Sequence, residues 1–139
     1  FSKEIRQFNS LNPDNILDKK TEVKPYDLTW NIPESFKNLD VSKFILNKLL
    51  SELNTSDEFT QDDIDERITR VQHELELYRE YNMTNILKVV AYIVEEFKKH
   101  NVVWGTGRGS SCCSYCLYLI GLHDVDSIKY DLDLTEFFR

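Results

Sequence analysis

The stretch Gly105-Thr106-Gly107-Arg108-Gly109-Ser110-Ser111-Cys112-Cys113-Ser114 constrains this chain more than any other, because three of its four glycines fall within the first five of those residues. The apolar run Val102-Val103-Trp104 before it predicts a short buried strand. Tyr115 to Ile120 after it predicts a helix that Gly121 ends. Strand, glycine loop and helix N-terminus together make a recipe for holding an anion. Glycines let the backbone turn tightly and approach a phosphate, and the first N–H groups of the helix point at it. Arg108 adds a permanent charge with a forked donor set that suits phosphate oxygens. Ser110 and Ser114 lie four apart, which predicts both hydroxyls on the same side of the first turn. The loop is not the dinucleotide fingerprint, whose third glycine would fall at Cys112, and no Gly-Lys-Ser/Thr follows at P-loop spacing. On the residues alone, a phosphate-type ligand and a plain structural turn both stay open.

The length of 139 residues suits one domain with a real core. No apolar run approaches membrane length and the start is not signal-like. The chain begins at Phe1, so a piece of something longer is expected. A net charge of −7 argues against this segment alone being a main DNA-gripping surface, although a local basic site within it stays compatible. Cys112, Cys113 and Cys116 fall within five residues, a spacing that suits disulfides poorly, and no long-range partner exists. His123 stands beyond Gly121 and no second ligand pair appears, so no metal site is expected. Small buried residues that let a helix pack closely are the simpler reading, and free thiols imply a reducing, cytoplasmic compartment.

Residues 1–39 hold all three prolines and show little periodicity, so they are read as an extended linker, with turn chemistry at Asn12-Pro13-Asp14-Asn15 and an extended stretch from Tyr26 to Pro33. Residues 40–139 are read as a helical region followed by the loop. Asp40 is the expected N-cap of a helix to about Leu53, with Leu46, Leu49, Leu50 and Leu53 as its buried stripe. Thr60-Gln61-Asp62-Asp63 is a helix start of capping-box type with Asp in place of Glu. Ile64, Ile68, Val71, Leu75 and Tyr78 then recur at helical spacing to about Tyr81. Glu66 and Arg70 are expected to pair across one turn on a solvated charged face, and His73 beside it carries no role. A third helix, from about Asn85 to His100, is the most apolar, through Ile86, Val89, Val90, Ile93, Val94 and Phe97. Lys98, Lys99 and His100 suit its C-terminus, and Asn101 suits a left-handed cap.

From about Glu66 to Arg139 the sequence resembles the C-family replicative DNA polymerases, the bacterial polymerase III alpha subunits. That family carries an apolar helix of the form Y-x-L-I-V-x-D-F-I-x-W-A-K and the loop G-P-G-R-G-S-A-A-G-S. It continues with V-A-Y-x-L-G-I-T-D-V-D-P-L-K-Y-D-L-L-F-E-R-F. Here the matching runs are Tyr92-Ile93-Val94-Glu95-Glu96-Phe97-Lys98-Lys99, then Gly105-Thr106-Gly107-Arg108-Gly109-Ser110. The third run is Tyr118-Leu119-Ile120-Gly121-Leu122-His123-Asp124-Val125-Asp126-Ser127-Ile128-Lys129-Tyr130-Asp131-Leu132. The first sixty residues are only loosely similar to the linker that follows the family's amino-terminal phosphoesterase-like domain.

The resemblance implies an α+β, predominantly helical fold: part of a nucleotidyltransferase-like polymerase palm after a helical linker, incomplete without its downstream catalytic strand. It implies a DNA-directed DNA polymerase of bacterial or phage replication. Deoxynucleoside triphosphate and primer-template DNA would be its substrates, with Mg²⁺ as cofactor in the complete enzyme. It assigns Gly107, Arg108, Gly109, Ser110 and Ser114 to the loop that receives the incoming nucleotide's triphosphate. Cys113 replaces the family's second glycine, where a Cβ and sulfur would narrow the phosphate approach, and Ser127 replaces its proline. Asp124-Val125-Asp126 looks like a carboxylate pair that holds two metals. In the family, however, this D-V-D is a structural turn, and the catalytic aspartates lie in a P-D-x-D-x-D-F strand expected downstream of Arg139. The isolated chain is therefore expected to be inactive, its partner being the remaining polymerase segment or a second split chain. The rivals are a self-contained small nucleotidyltransferase using Asp124 and Asp126, and a non-catalytic helical interaction module.

Overall fold

Three local signals set the helix starts. Asp40 accepts a hydrogen bond from the Lys43 N–H (3.1 Å) and opens one helix. Thr60 and Asp63 form a full capping box, the Asp63 N–H donating to Thr60 Oγ1 (3.2 Å) and the Thr60 N–H to Asp63 Oδ2 (2.8 Å). Ser114 caps the helix after the glycine loop through the Leu117 N–H (3.2 Å). Left-handed residues set the stops: Asn82 (φ 56°), Asn101 (φ 53°) and Gly121 (φ 96°). Beyond each, an N–H reaches back five residues, Met83 to the Tyr78 carbonyl (2.7 Å), Val102 to Phe97 (2.8 Å) and Leu122 to Leu117 (3.0 Å).

The computed structural model describes residues 3–13, 30–55, 58–105 and 107–138. Its helices are α1 (Lys3–Leu11), α2 (Glu34–Lys37), α3 (Val41–Asn54), α4 (Gln61–Glu80), α5 (Thr84–Lys99) and α6 (Tyr115–Ile120), with 3₁₀ turns at Gly109–Cys113 and Leu134–Glu136. Among the described residues none of the helices is long and apolar enough to cross a membrane. The region read as extended linker thus contains two helices, and α1 buries none of its residues. Tyr26 to Thr29 of the expected extended stretch, Asp14 and Asn15 of the expected turn, Thr106 of the loop and Arg139 lie outside the described residues.

A helix of six residues is the centre. Helix α6 packs against α3, α4 and α5, and five of its six residues are buried: Tyr115, Cys116, Leu117, Leu119 and Ile120. A helix this short is unstable in water, so its order comes from the walls around it. Those walls are Val41, Ile45 and Leu49 from α3, Val71 and Tyr78 from α4, and Leu87, Ala91 and Val94 from α5. Phe138 returns at the end of the chain to meet the Tyr78 ring edge-on, with centroids 5.0 Å apart.

Three expectations are corrected. Among the described residues there is no strand, so the α+β reading becomes a mostly helical one. Val102 gives its N–H to the α5 cap and Val103 is 94% exposed. Trp104 turns inward instead, its ring tilted against that of Phe97 with centroids 5.5 Å apart, and Nε1 donates to the Leu122 carbonyl (3.0 Å). A strand needs a neighbour to take its backbone groups, and no described segment lies alongside. On α3, Leu46 and Leu50 face outward while Val41, Ile45 and Leu49 face the core. On α4 the buried line is Arg67, Val71, Glu74 and Tyr78, so the charged residues are not all on a solvated face.

Candidate functional site

The glycine loop lies over a buried polar cluster that α4 supplies. The Glu74 side chain is fully buried and its carboxylate lies at the N-terminus of α6. Oε2 accepts from the Tyr115 N–H (3.0 Å) and Oε1 from the Cys116 N–H (3.0 Å). Oε1 also takes the hydroxyl of Ser114, whose own oxygen accepts from the Tyr78 hydroxyl (2.8 Å) and the Leu117 N–H (3.2 Å). Burial pushes the Tyr78 hydroxyl pKa far above its ordinary value of 10.0, which keeps it a proton donor to Ser114. The cluster satisfies every free N–H at this end of the helix that a ligand would otherwise claim.

This placement separates two of the expected site residues. Ser110 is exposed and Ser114 is fully buried, so the two hydroxyls do not share a side. The cause is the 3₁₀ turn Gly109–Cys113: α6 begins only at Tyr115, with Ser114 as an inward-facing cap. Cys113 is likewise buried, so its side chain does not narrow the exposed rim of the loop. All three thiols are free and buried, and burial pushes those of Cys113 and Cys116 up.

The exposed rim is Arg108, Gly109 and Ser110. Gly109 holds φ +75° with open space where a Cβ would go, and Gly107 sits against His123, whose Cβ would collide with one. His123 is pinned at both ring nitrogens. Nδ1 accepts from the Val125 N–H (3.2 Å), which leaves Nε2 to donate to the Ser114 carbonyl (3.1 Å). Gly107 and Gly109 flank Arg108, whose carbonyl accepts from the Ser111 hydroxyl (3.2 Å).

Two arginines on α4 fasten the segments on either side. Arg70 donates to the Cys113 carbonyl (2.7 Å), the Leu132 carbonyl (3.2 Å) and Glu74 (3.3 Å), and not to Glu66 as its spacing suggested. Arg67 donates to the Tyr115 hydroxyl (2.7 Å) and pairs with Asp126 Oδ2 (2.9 Å), under the Phe59 ring. Burial dominates at Tyr115 and pushes its hydroxyl up to about 12 despite that cation. The other oxygen of Asp126 accepts from the N–H groups of Ile128 and Lys129, both at 3.1 Å. Asp126 thus spends both oxygens on Arg67 and on its own turn, while Asp124 is exposed.

Sequence reasoning missed Glu74, Arg70 and Arg67 by assigning the charges of α4 to solvent. The signal was present: residues 67, 71, 74 and 78 recur at the i, i+4, i+7, i+11 spacing of one helical face.

A family described as the bacterial DNA polymerase III alpha NTPase domain matches residues 43–139. The DNA polymerase III subunit alpha of Thermotoga maritima is 40% identical over 73 residues, 52% of this chain and 9% of that protein. The same-named protein of Ureaplasma parvum is 28% identical over 134 residues, 92% of this chain and 14% of its own length. That of Staphylococcus epidermidis is 32% identical over 68 residues, 49% of this chain and 6% of its own. The chain therefore spans at most 14% of the length of these three relatives. No solved structure matches it significantly. The match takes in α4, the glycine loop and the Asp126 turn together, and the chain belongs to the bacterial DNA polymerase III alpha NTPase domain family.

Proposed function

We propose that this chain is the first part of the palm of a DNA-directed DNA polymerase of bacterial or phage replication, and that its loop Gly107-Arg108-Gly109-Ser110 cradles the triphosphate of the incoming deoxynucleotide. The observation that carries the reading is an exposed Arg108-Gly109-Ser110 rim, in a chain of this family, anchored to a buried and fully bonded base. A backbone held still from below can present its N–H groups without reorganising when an anion arrives. Arg108 supplies the forked cation at the edge. Ser114 supports the cradle from beneath and does not touch the ligand.

In the intact polymerase the primer 3′-hydroxyl would attack the α-phosphate and pyrophosphate would leave. The residues here do not fit the two-metal site that the family implies for Mg²⁺. Asp126 has both oxygens committed to Arg67 and to its own turn, which leaves Asp124 as the one free carboxylate of the pair. No cluster of three ligating side chains forms among the described residues. The metal ligands are assigned to the aspartates expected downstream, in the rest of the polymerase or on a second chain. This segment's share of the reaction is to bind and orient the β- and γ-phosphates, and primer-template DNA is gripped mainly elsewhere, in line with a net charge of −7.

The test is single-nucleotide incorporation by the intact polymerase across a nucleotide titration. Arg108→Ala removes a charge-assisted contact worth about 1.5–3 kcal/mol, so kcat/KM for nucleotide falls about ten- to two-hundred-fold. Arg108→Lys recovers part of the loss, and Ser110→Ala costs about 1 kcal/mol. DNA affinity, measured separately, stays near wild type. Weakened DNA binding with unchanged nucleotide dependence would place the loop on the duplex backbone.

A further inference from the structure

We propose that Glu74 is a positioning residue for nucleotide binding: it holds the glycine loop in its binding shape by filling the N-terminus of α6 with an internal carboxylate. The inference rests on the triphosphate reading of the loop and goes beyond it, since Glu74 sits on another helix and touches none of the loop's exposed residues.

Glu74 reaches 41 residues along the sequence to Tyr115 and 42 to Cys116. Its two oxygens collect two backbone N–H groups, the Ser114 hydroxyl and the Arg70 guanidinium. Arg70 in turn holds the Cys113 carbonyl (2.7 Å), the last residue of the 3₁₀ turn that contains Gly109 and Ser110. One carboxylate therefore fixes both ends of the junction between loop and helix. The same placement neutralises the α6 end, so an incoming phosphate finds no competing N–H groups there and is directed to the rim. Buried hydrogen-bonded groups of this kind hold geometry as well as energy, because leaving one of them unpaired in a low-dielectric interior is costly.

The test uses Glu74→Gln in the intact polymerase. Gln keeps the shape of the side chain, but its amide nitrogen is a donor and must face a backbone N–H or the Ser114 hydroxyl. The loop shifts, and nucleotide KM rises about ten-fold, the scale of one charge-assisted hydrogen bond. The Kd for primer-template DNA stays unchanged. A merely structural residue gives a different signature: its loss lowers the folded fraction and hence the apparent kcat, and leaves KM alone. Ser114→Ala removes one of the donors to Glu74 with little change in volume. It produces a smaller KM rise and reads the same contact should Glu74→Gln not fold. Arg108→Ala, run alongside, separates the two levels. If Arg108→Ala raises nucleotide KM while Glu74→Gln and Ser114→Ala fold and keep a wild-type KM, the positioning role is overturned and the loop reading survives. If Arg108→Ala leaves nucleotide dependence alone, the loop reading itself falls, and the positioning role with it.

Discussion

Gly107 and Gly109 need to be glycine for opposite reasons, and substitution separates them. At Gly107 the obstacle is a neighbour: a Cβ would overlap the His123 side chain, with its Cγ 3.1 Å and its Cα 3.4 Å away. His123 is buried and bonded at both nitrogens, so it cannot step aside cheaply. At Gly109 the obstacle is the backbone itself, φ +75° with nothing within 4 Å of the added carbon. Gly107→Ala is expected to destabilise the fold by about 1–3 kcal/mol through overpacking. Gly109→Ala should cost about 1–2 kcal/mol, and Gly109→Asn should recover most of that because Asn tolerates the left-handed region. Gly107→Asn should be worse than Gly107→Ala. Urea denaturation of the four variants reads the pattern, and a rescue by Asn at Gly107 would contradict the packing geometry described at His123.

Helix ends were legible in the sequence and helix faces only in part. Val71 and Tyr78 on α4 and Val89 and Val94 on α5 are buried as their spacing predicts, whereas the buried charges were missed. The cap at Asp40, the box at Thr60 and Asp63 and the stops at Asn101 and Gly121 are set by side-chain and backbone bonds within a few residues, so local reading suffices. Which face of α4 is buried depends on what Arg67 and Glu74 meet, and those partners lie more than forty residues away. The unformed strand at Val102 failed for the same reason, since a strand is defined by its neighbour. The buried base of the loop was not legible, since its carboxylate comes from another helix. The Thr60–Asp63 box also carries a pH dependence. The Thr60 hydrogen bonds hold the Asp63 carboxyl below its ordinary 3.8. A depressed folded-state value means the contribution is present above 3.8 and is lost as pH falls through the lower folded value. The stability gap between the native chain and Asp63→Asn should therefore be open at neutral pH and close in acid below that range. A gap that stays constant across thermal melts from pH 7 to pH 2 would remove the box as its source.

Across the whole molecule, α4 is joined to the C-terminal third by Arg67, whose side chain is 8% exposed, and by Asp126 at 14%. Asp126→Asn keeps an oxygen for the turn but leaves a buried guanidinium short of its counter-charge, at a cost of about 3–5 kcal/mol. Asp124→Asn, at an exposed position, should change stability by less than about 0.5 kcal/mol. In the intact polymerase at a temperature where both variants are folded, incorporation should fall only modestly for either. A collapse by orders of magnitude in a folded Asp124→Asn or Asp126→Asn variant would instead make the pair metal ligands. Glu74 adds an order in time to this arrangement. As the chain is made, α3, α4 and α5 are complete before Tyr115 exists, and closing their shared core at that stage would bury a carboxylate held by Arg70 alone. Its other partners arrive 40 to 42 residues after it, at the start of a helix too short to form alone. Docking of the segment behind the loop therefore supplies the missing donors to Glu74, completes the core and fixes the loop together.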